Sequence, residues 1–359
     1  MQRIRIIRYV FYLTQNTMRL YFLIITLFLA TLNLVAQQAN AIKLSPNQLN
    51  LIQTQGKEGI QSVFDELGIQ IENLQLVEDF TSAASAELIS VTTDTETISK
   101  LASDFVYAFA EMSSMSEIDD SYIIEYVSAG LSIGLVYTCQ NTSDNALQKI
   151  KAISQGSALG AIKYAQNSAR DIERIASAVS SGSLAGVIES ANDLNLDIVE
   201  SVKFSVEGLV YGTLSASTKL DAMIYETIRA SAEGIAEAAI EASVKISVAL
   251  LPQITASSVG AGKSAVESAY SLDLSIQKTL KAITLGLNIG ANRSIPGKGN
   301  NIRIFIAPIK KEDVDIKTVL IAIDKGIEAG SKLAGFINIL PMIQTPFDGD
   351  STIRVSPTN

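Results

Sequence analysis

Residues 182–207 read GSLAGVIESANDLNLDIVESVKFSVE, and residues 208–233 read GLVYGTLSASTKLDAMIYETIRASAE. The two segments are equal in length, and each begins with a glycine that is followed by a second glycine four positions later. The same 26-residue spacing continues on both sides, so that a glycine recurs at each step from Gly130 to Gly286. We interpret this spacing as a tandem repeat, because self-similarity at a fixed period is the sequence signature of repeat architectures.

Small and aliphatic residues recur within each repeat at steps of three and four, which is the spacing of one helix face. Seven such steps give about 3.7 residues per turn, close to the helical period and far from the strand period of two. The sequence therefore predicts an all-α fold of tandem 26-residue repeats rich in Gly, Ala and Ser. We expect long helices of about 15–25 residues packed side by side. The pattern leaves open whether each repeat holds one helix or two.

Pairs of small residues four positions apart allow two helix backbones to approach closely, in lipid and in water. We expect the pairs in this chain to pack helices, either within one molecule or between two. The predicted helix-packing residues are Gly130, Gly134, Gly156, Gly160, Gly182, Gly186, Gly208, Gly212, Gly234, Ala238, Gly260, Ser264, Gly286 and Gly290.

The repeat divides the chain into segments. We predict an N-terminal helical region at 42–125, the repeat region at 126–291, a loop and strand insert at 292–313, C-terminal helices at 314–345 and a tail at 346–359. Isoleucines at every second position of 302–306, and a similar alternation at 352–355, predict a small two-stranded β element near the C-terminus.

Three local signals bear on where helices begin. Ser45 followed by Pro46 is a helix-start signal, and Asp197 is a candidate N-cap with Glu200 at the position of a capping box. Pro252 occupies a slot that the repeat pattern places inside a helix, where proline interrupts the backbone hydrogen bonds. These signals favour separate helices over one continuous rod.

An export signal precedes the helical part. Residues 1–41 carry four arginines and no acidic residue, and an apolar run from Leu20 to Ala36 leads to the small-residue site Ala39-Asn40-Ala41. We expect cleavage near Ala41 and an extracytoplasmic location, periplasmic or secreted. The true start is then either Met1 or Met18. An uncleaved N-terminal helix that anchors the protein is the alternative.

The composition excludes several kinds of chemistry. The chain has no histidine, no tryptophan and one cysteine, which removes histidine-based catalysis, most zinc sites and internal disulfides. Lys and Arg number 28 against 37 Asp and Glu, a net charge of −9 that argues against nucleic-acid binding. We expect no cofactor. Cys139 occupies a small-residue column of the repeat, so we interpret it as a buried core residue.

Two kinds of motif invite a catalytic or metal-binding interpretation. Residues 257–264 read SSVGAGKS, one position short of a phosphate-binding loop, but the repeat already accounts for Gly260 and Ser264. The carboxylates at 348–351 resemble part of a calcium loop, but the closing Glu of such a loop is missing. The carboxylate groups are Asp119-Asp120, Asp313 with Asp315, and Asp348-Gly349-Asp350-Ser351.

Two further patterns concern the surface and the core. Asn141-Thr142-Ser143 and Asn292-Arg293-Ser294 match glycosylation sequons. We interpret Phe105, Tyr107 and Phe109 as core residues of an amphipathic helix rather than as a ligand platform.

The columns that define the repeat hold packing residues, and no single type of polar residue recurs through all the repeats. The sequence therefore predicts an exported, non-enzymatic structural or interaction protein that binds itself or another protein. The alternative is a membrane-associated or pore-forming amphipathic helical protein. Tyr126 to Cys139 is the most lipid-like stretch, but it is too short to span a bilayer unaided.

Overall fold

The computed structural model describes residues 42–92, 94–139, 146–218, 223–295 and 316–335. All the contacts below lie in the unit that begins at Leu44. The predicted leader and the predicted β element at 302–307 and 352–355 lie outside the described residues. Every regular element within them is a helix, and the helices pack against one another, which confirms the predicted all-α class.

Twelve helices form within the described residues. They are α1 Pro46–Gln55, α2 Lys57–Glu66, α3 Leu74–Ser90, α4 Thr95–Ser113, α5 Asp120–Cys139, α6 Ala146–Asn167, α7 Ile172–Asp193, α8 Ile198–Ser217, α9 Ile224–Lys245, α10 Leu250–Ser271, α11 Ile276–Ser294 and α12 Ile316–Leu333. From α5 to α11 the helices begin at the same 26-residue spacing as the glycines, so each period of the spacing holds one helix.

The expected N-caps are present. The Ser45 side chain accepts a hydrogen bond from the Gln48 amide, and the Gln48 side chain accepts one from the Ser45 amide at 2.8 Å. The Asp197 carboxylate accepts from the Glu200 amide at 3.1 Å, while the Glu200 side chain pairs with Lys203.

The interior position expected for Pro252 is wrong, because α10 begins at Leu250 and Pro252 lies in its first turn. A proline is tolerated there, since the first amides of a helix have no carbonyl partner. The repeat pattern therefore located the helix but not the turn that Pro252 occupies.

Four linkers between consecutive helices repeat one turn. Ala169, Asn195, Ser247 and Asp273 each have a left-handed backbone, with φ between 50° and 60°, and they fall on the same 26-residue grid. The residue after each of them donates its backbone amide to the carbonyl oxygen five positions earlier in the chain. An example is the bond from Leu196 to Ala191 at 2.9 Å. This is the Schellman helix end, formed here without glycine. Each of these linkers is four residues long, so consecutive helices run antiparallel.

Helices two apart in the chain pack together most extensively and form two rows. One row is α3, α5, α7, α9 and α11, and the other is α4, α6, α8, α10 and α12. Aliphatic side chains such as Leu209 and Ile235 fill the core between the rows. The short helices α1 and α2 pack at the N-terminal end, where an aromatic cluster forms from Phe64, Phe80, Phe105 and Phe109.

The three aromatic residues assigned to the core differ in burial. Phe105 and Phe109 are fully buried, which confirms that assignment. Tyr107 is only partly buried, and its ring stands edge-on to Tyr164 at 6.0 Å between centroids. Its hydroxyl accepts a hydrogen bond from Asn167 at 3.1 Å, so Tyr107 lies at the edge of the core.

Candidate interaction surfaces

The predicted helix-packing glycines, which we call the glycine stripe, lie against the backbone of the neighbouring helix in the same row. That neighbour is the helix two earlier in the chain. A Cβ atom at Gly182 of α7 would lie 2.0 Å from the Glu125 carbonyl oxygen of α5, and one at Gly186 would lie 2.5 Å from that of Ala129. Glycine is required at such positions because any side chain would overlap the neighbouring backbone.

Most of the predicted packing residues make this contact. The two that are not glycine are also buried: Ala238 is 2% exposed, and the Ser264 hydroxyl donates to the Glu207 carbonyl at 2.8 Å. The chain's own backbone therefore covers the stripe. A Cβ would lie within 2.5 Å of a carbonyl oxygen at Gly130, Gly134, Gly156, Gly160, Gly182, Gly186, Gly208, Gly212, Gly234, Gly260, Gly286 and Gly290.

A buried carboxylate links three helices of the second row. The Glu207 side chain on α8 is 0% exposed, and it accepts hydrogen bonds from Lys151 of α6 at 2.9 Å and Lys263 of α10 at 3.0 Å. The two lysine side chains remain about one-quarter exposed, at 27% and 25%. This arrangement has the features of a structural ion pair, since a buried charge needs close partners of opposite sign.

The first row has similar ion pairs nearer to solvent. Glu173 pairs with Arg229 and Glu189 with Lys245, and both pairs join helices two apart in the chain. In α11, Arg293 lies 2.7 Å from the Glu233 carboxylate of α9. Exposed pairs of this kind contribute little stability each.

Five carboxylates in this row have a raised pKa. Burial raises the pKa of Glu78 on α3 to about 7, and burial also raises that of Glu125 on α5. On α9, burial raises the pKa of Glu237 to about 7 and raises those of Glu233 and Glu241. The negative charge of Glu241 raises the pKa of Glu125 further, so the carboxylates of α5 and α9 are close enough to interact.

We expect Glu237→Gln to raise the melting temperature above pH 7 and to leave it unchanged below pH 4.5. A pKa of about 7 in the folded state, against 4.5 when unfolded, means that the folded protein binds more protons between these values. Stability then falls as the pH rises through this window. Arg293, Glu233 and Glu241 face Glu237, and burial outweighs the attraction of Arg293.

Thermal melts by circular dichroism across this pH range test the expectation. Glu226→Gln is the matched control, because Glu226 lies on the same helix and is exposed. A Glu237→Gln variant with the same pH profile as wild type would contradict the assignment.

Asp120, the second residue of the acidic pair, belongs to a polar junction between α4, α5 and α6. It accepts hydrogen bonds from the Tyr164 hydroxyl at 2.7 Å and the Ser113 hydroxyl at 3.0 Å, and it lies 2.9 Å from Arg170. Burial, followed by the bond to Asp120, raises the pKa of Tyr164 to about 12. These partners neutralise and orient the carboxylate, which is typical of a structural network.

Asp119, the first residue of the pair, also has its partners within the chain. It accepts a hydrogen bond from the Ser121 hydroxyl at 2.6 Å and pairs with Arg174 of α7. Burial would raise the pKa of Asp119, but the hydrogen bonds from Ser121 and the charge of Arg174 outweigh it and lower the pKa. Both carboxylates of the pair are thus held by their own neighbours.

The phosphate-loop motif is part of a helix. Residues 257–264 lie inside α10, where their amides are not free for phosphate, and Lys263 pairs with Glu207. The motif therefore has no phosphate-binding geometry.

The remaining motifs lie at a helix end or outside the described residues. Asn292 is in the last turn of α11, and its side-chain amide donates to the Asn288 carbonyl at 2.7 Å. The carboxylates at 313–315 and 348–350 and the sequon at 141–143 lie outside the described residues. Within the described part, no three Cys, Asp or Glu side chains form a metal-binding group.

Cys139 is buried at the end of α5, 5% exposed, and its Sγ lies 4.0 Å from the Ala146 carbonyl oxygen. Burial raises the pKa of its thiol, opposed by the charge of Lys149. A thiol with a raised pKa is a poor nucleophile at neutral pH. This environment agrees with the interpretation of Cys139 as a core residue.

Helix α5 carries a stripe of large side chains at its surface. Tyr122 and Tyr137 are exposed at 39% and 46%, and Tyr126 and Ile133 are partly buried on the same face. We call these four residues the tyrosine stripe. By length and composition, α5 is also the one described helix that could cross a membrane, and 67% of its apolar window is buried against other helices.

The chain matches no protein-family model and no curated protein.

Proposed function

We propose that this chain is a non-enzymatic, extracytoplasmic interaction protein whose tandem 26-residue repeats form a rigid two-row scaffold. The proposal includes removal of the leader near Ala41. The observation that carries it is the seating of the glycine pairs on carbonyl oxygens of the helix two earlier in the chain. A repeat whose defining positions all serve helix packing favours a scaffold over a catalyst.

Because the glycine stripe is covered within the molecule, association must use the side chains that remain outside. The tyrosine stripe is the best surface for this, since tyrosines are enriched at protein interfaces and combine apolar area with a hydroxyl. We propose a second copy of the chain as the partner. The second copy would contribute its own tyrosine stripe, so that the two stripes pack against each other as in a symmetric dimer.

Sedimentation velocity from micromolar to millimolar concentration tests self-association. We expect the apparent mass of the wild type to rise with concentration. The double substitution Tyr126→Ser with Tyr137→Ser should raise the dissociation constant about tenfold or more, because buried interface tyrosines dominate binding energy. Tyr270→Ser is the matched control, since Tyr270 is 84% exposed but lies on α10 in the other row.

Two outcomes contradict the proposal. A wild-type protein that stays monomeric at millimolar concentration rules out self-association. An equal effect of Tyr270→Ser and of the double substitution shows that the stripe has no special role.

The same stripe also supports a membrane-associated alternative, because tyrosines are favoured at the lipid–water interface. Flotation with neutral and anionic vesicles separates the two functions. Binding to vesicles that is lost in the double variant supports the alternative, and its absence leaves the protein–protein proposal.

A further inference from the structure

Among the described residues, the two rows end at α11 and α12. From α5 to α10, each helix offers backbone carbonyls to the glycines of the next helix in its row, and these carbonyls lie five residues before its own pair of small residues. In α9, for example, the Arg229 carbonyl lies beneath Gly286 of α11, where a Cβ atom would overlap it. The same spacing identifies the face that a further helix would cover on α11 and on α12.

On these last two helices the corresponding positions are exposed. They are Lys281 and Leu285 on α11, and Ile321 and Lys325 on α12. Leu285 is 42% exposed and Ile321 is 53% exposed, whereas Glu233, at the position of Leu285 on α9, is buried beneath α11. The two helices are in contact, so their exposed positions adjoin. We call these four residues the C-terminal face.

The opposite end of the rows is covered and acidic. Helix α1 packs on α3 and α2 packs on α4, so these short helices close the start of both rows. The one basic residue of the segment 46–73 is Lys57, and it pairs with Glu111. We call this segment the acidic cap, and its exposed carboxylates are Glu58, Asp65, Glu66 and Glu72.

The charge of the chain changes sign between these two ends. Residues 42–119 carry 3 basic and 13 acidic side chains, a net charge of −10, whereas residues 272–359 carry 11 basic and 8 acidic ones, a net charge of +3. Helices α11 and α12 hold six basic residues and two acidic ones, Asp324 and Glu328, and Glu328 pairs with Lys332. The two ends of the rows are therefore complementary in charge.

From these observations we infer that the C-terminal face binds the acidic cap of a second copy of the chain, so that the rows of one molecule continue head to tail into the next. Lys281 and Lys325 would lie opposite carboxylates such as Asp65 and Glu66 of α2. The two surfaces differ, so each pair keeps one free cap and one free face, and the contact propagates unless it closes a ring. It uses neither surface of the tyrosine-stripe dimer and holds independently of it.

The size of the face predicts a weak contact that depends on charge. Helix α11 has 19 residues, and two such helices side by side present roughly 500 Å², from a length of about 28 Å and a spacing of about 9 Å. A standard interface buries about 800 Å² on each partner. Complementary charges set the orientation and the salt dependence of such a contact.

Sedimentation velocity of the full chain with Tyr126→Ser and Tyr137→Ser, the parent variant, tests the inference without association through the tyrosine stripe. We expect its apparent mass to rise with concentration at about 10 mM salt and to stay near that of the monomer at about 1 M salt. The reason is that the screening length falls from about 30 Å to about 3 Å between these conditions.

Two charge reversals in the parent variant locate the contact. The face variant carries Lys281→Glu with Lys325→Glu, and the cap variant carries Asp65→Lys with Glu66→Lys. Each should raise the dissociation constant at low salt about tenfold or more, because each brings like charges together.

Recombining the reversed charges identifies the partner. A mixture of the face variant and the cap variant should associate although neither does so alone, because every contact between them joins opposite charges. A chain with all four reversals should likewise recover association to within about threefold of the parent variant, since the charges of the two surfaces are then exchanged.

The matched control is Lys163→Glu with Lys245→Glu, which reverses two exposed lysines on α6 and α9, away from both ends of the rows. Circular dichroism of each variant verifies that the helices are retained. The inference is overturned if the parent variant stays monomeric at low salt, or if the control weakens association as much as the face variant. It is also overturned if the mixture does not associate, or if only the face variant loses association, since the acidic cap is then not the partner.

Discussion

Gly182→Ala should lower the free energy of unfolding by about 3 kcal/mol, although alanine is the better helix former. A Cβ atom at position 182 would lie 2.0 Å from the Glu125 carbonyl oxygen and 2.8 Å from its carbonyl carbon. These are backbone atoms of α5 and cannot rotate away, so α7 must move off α5 along the whole interface. The gain in helix propensity, about 1 kcal/mol, is too small to offset the weaker packing between the two helices.

Urea unfolding followed by circular dichroism measures this loss, and two further substitutions separate its causes. Gly68→Ala meets nothing within 4 Å but has a φ of +65°, so it should cost about 1 kcal/mol from backbone strain alone. Gly260→Ala brings a Cβ 2.5 Å from the Lys203 carbonyl oxygen and should fall between the two. A Gly182→Ala protein as stable as wild type would show that the rows are not held by this packing.

Glu207→Gln should lower the free energy of unfolding by about 2–3 kcal/mol, because it removes the charge that satisfies two lysines. The side chain keeps its size, so the loss does not come from a cavity. Breaking a fully buried ion pair costs about 3–5 kcal/mol. We expect somewhat less because Lys151 and Lys263 are 27% and 25% exposed and can turn partly to water.

The matched control is Glu200→Gln on the same helix. Glu200 is 41% exposed and pairs with Lys203 at 3.2 Å, and an exposed pair of this kind is worth about 0–1 kcal/mol. Combining Glu207→Gln with Lys151→Gln in a double-mutant cycle isolates the pair. If Glu207→Gln costs no more than Glu200→Gln, Glu207 does not tie α6, α8 and α10 together.

Much of the fold could be predicted because helical periodicity is a local property. The column that holds Gly182 indicated helices and the face on which they pack, and Ser45 and Asp197 marked two helix starts. The expectation for Pro252 failed because a periodic pattern does not reveal which turn of a helix a residue occupies. The left-handed linker residues were also missed, since a residue such as Ala169 carries no turn signal of its own.

The candidate surfaces were harder to predict than the helices. Lys281 and Lys325 are far apart in the chain, and they belong to one face only because α11 and α12 are in contact at the end of the rows. Glu207 resembles any surface glutamate in sequence, and its burial depends on lysines 56 residues away on either side. The raised pKa of Glu237 likewise follows from burial that no local pattern shows.

The sequence by itself determined the helical class and the glycine face of the helices, because side-chain periodicity and backbone sterics act within a few residues. Only the tertiary structure decided where that face lies. A small-residue pair fits any helix backbone that offers carbonyl oxygens, in the same chain or in another. The four-residue linkers turn the helices that they join antiparallel, which places the parallel partner two helices away in the same row. Packing of this kind covers the glycines and leaves the tyrosine stripe at the surface.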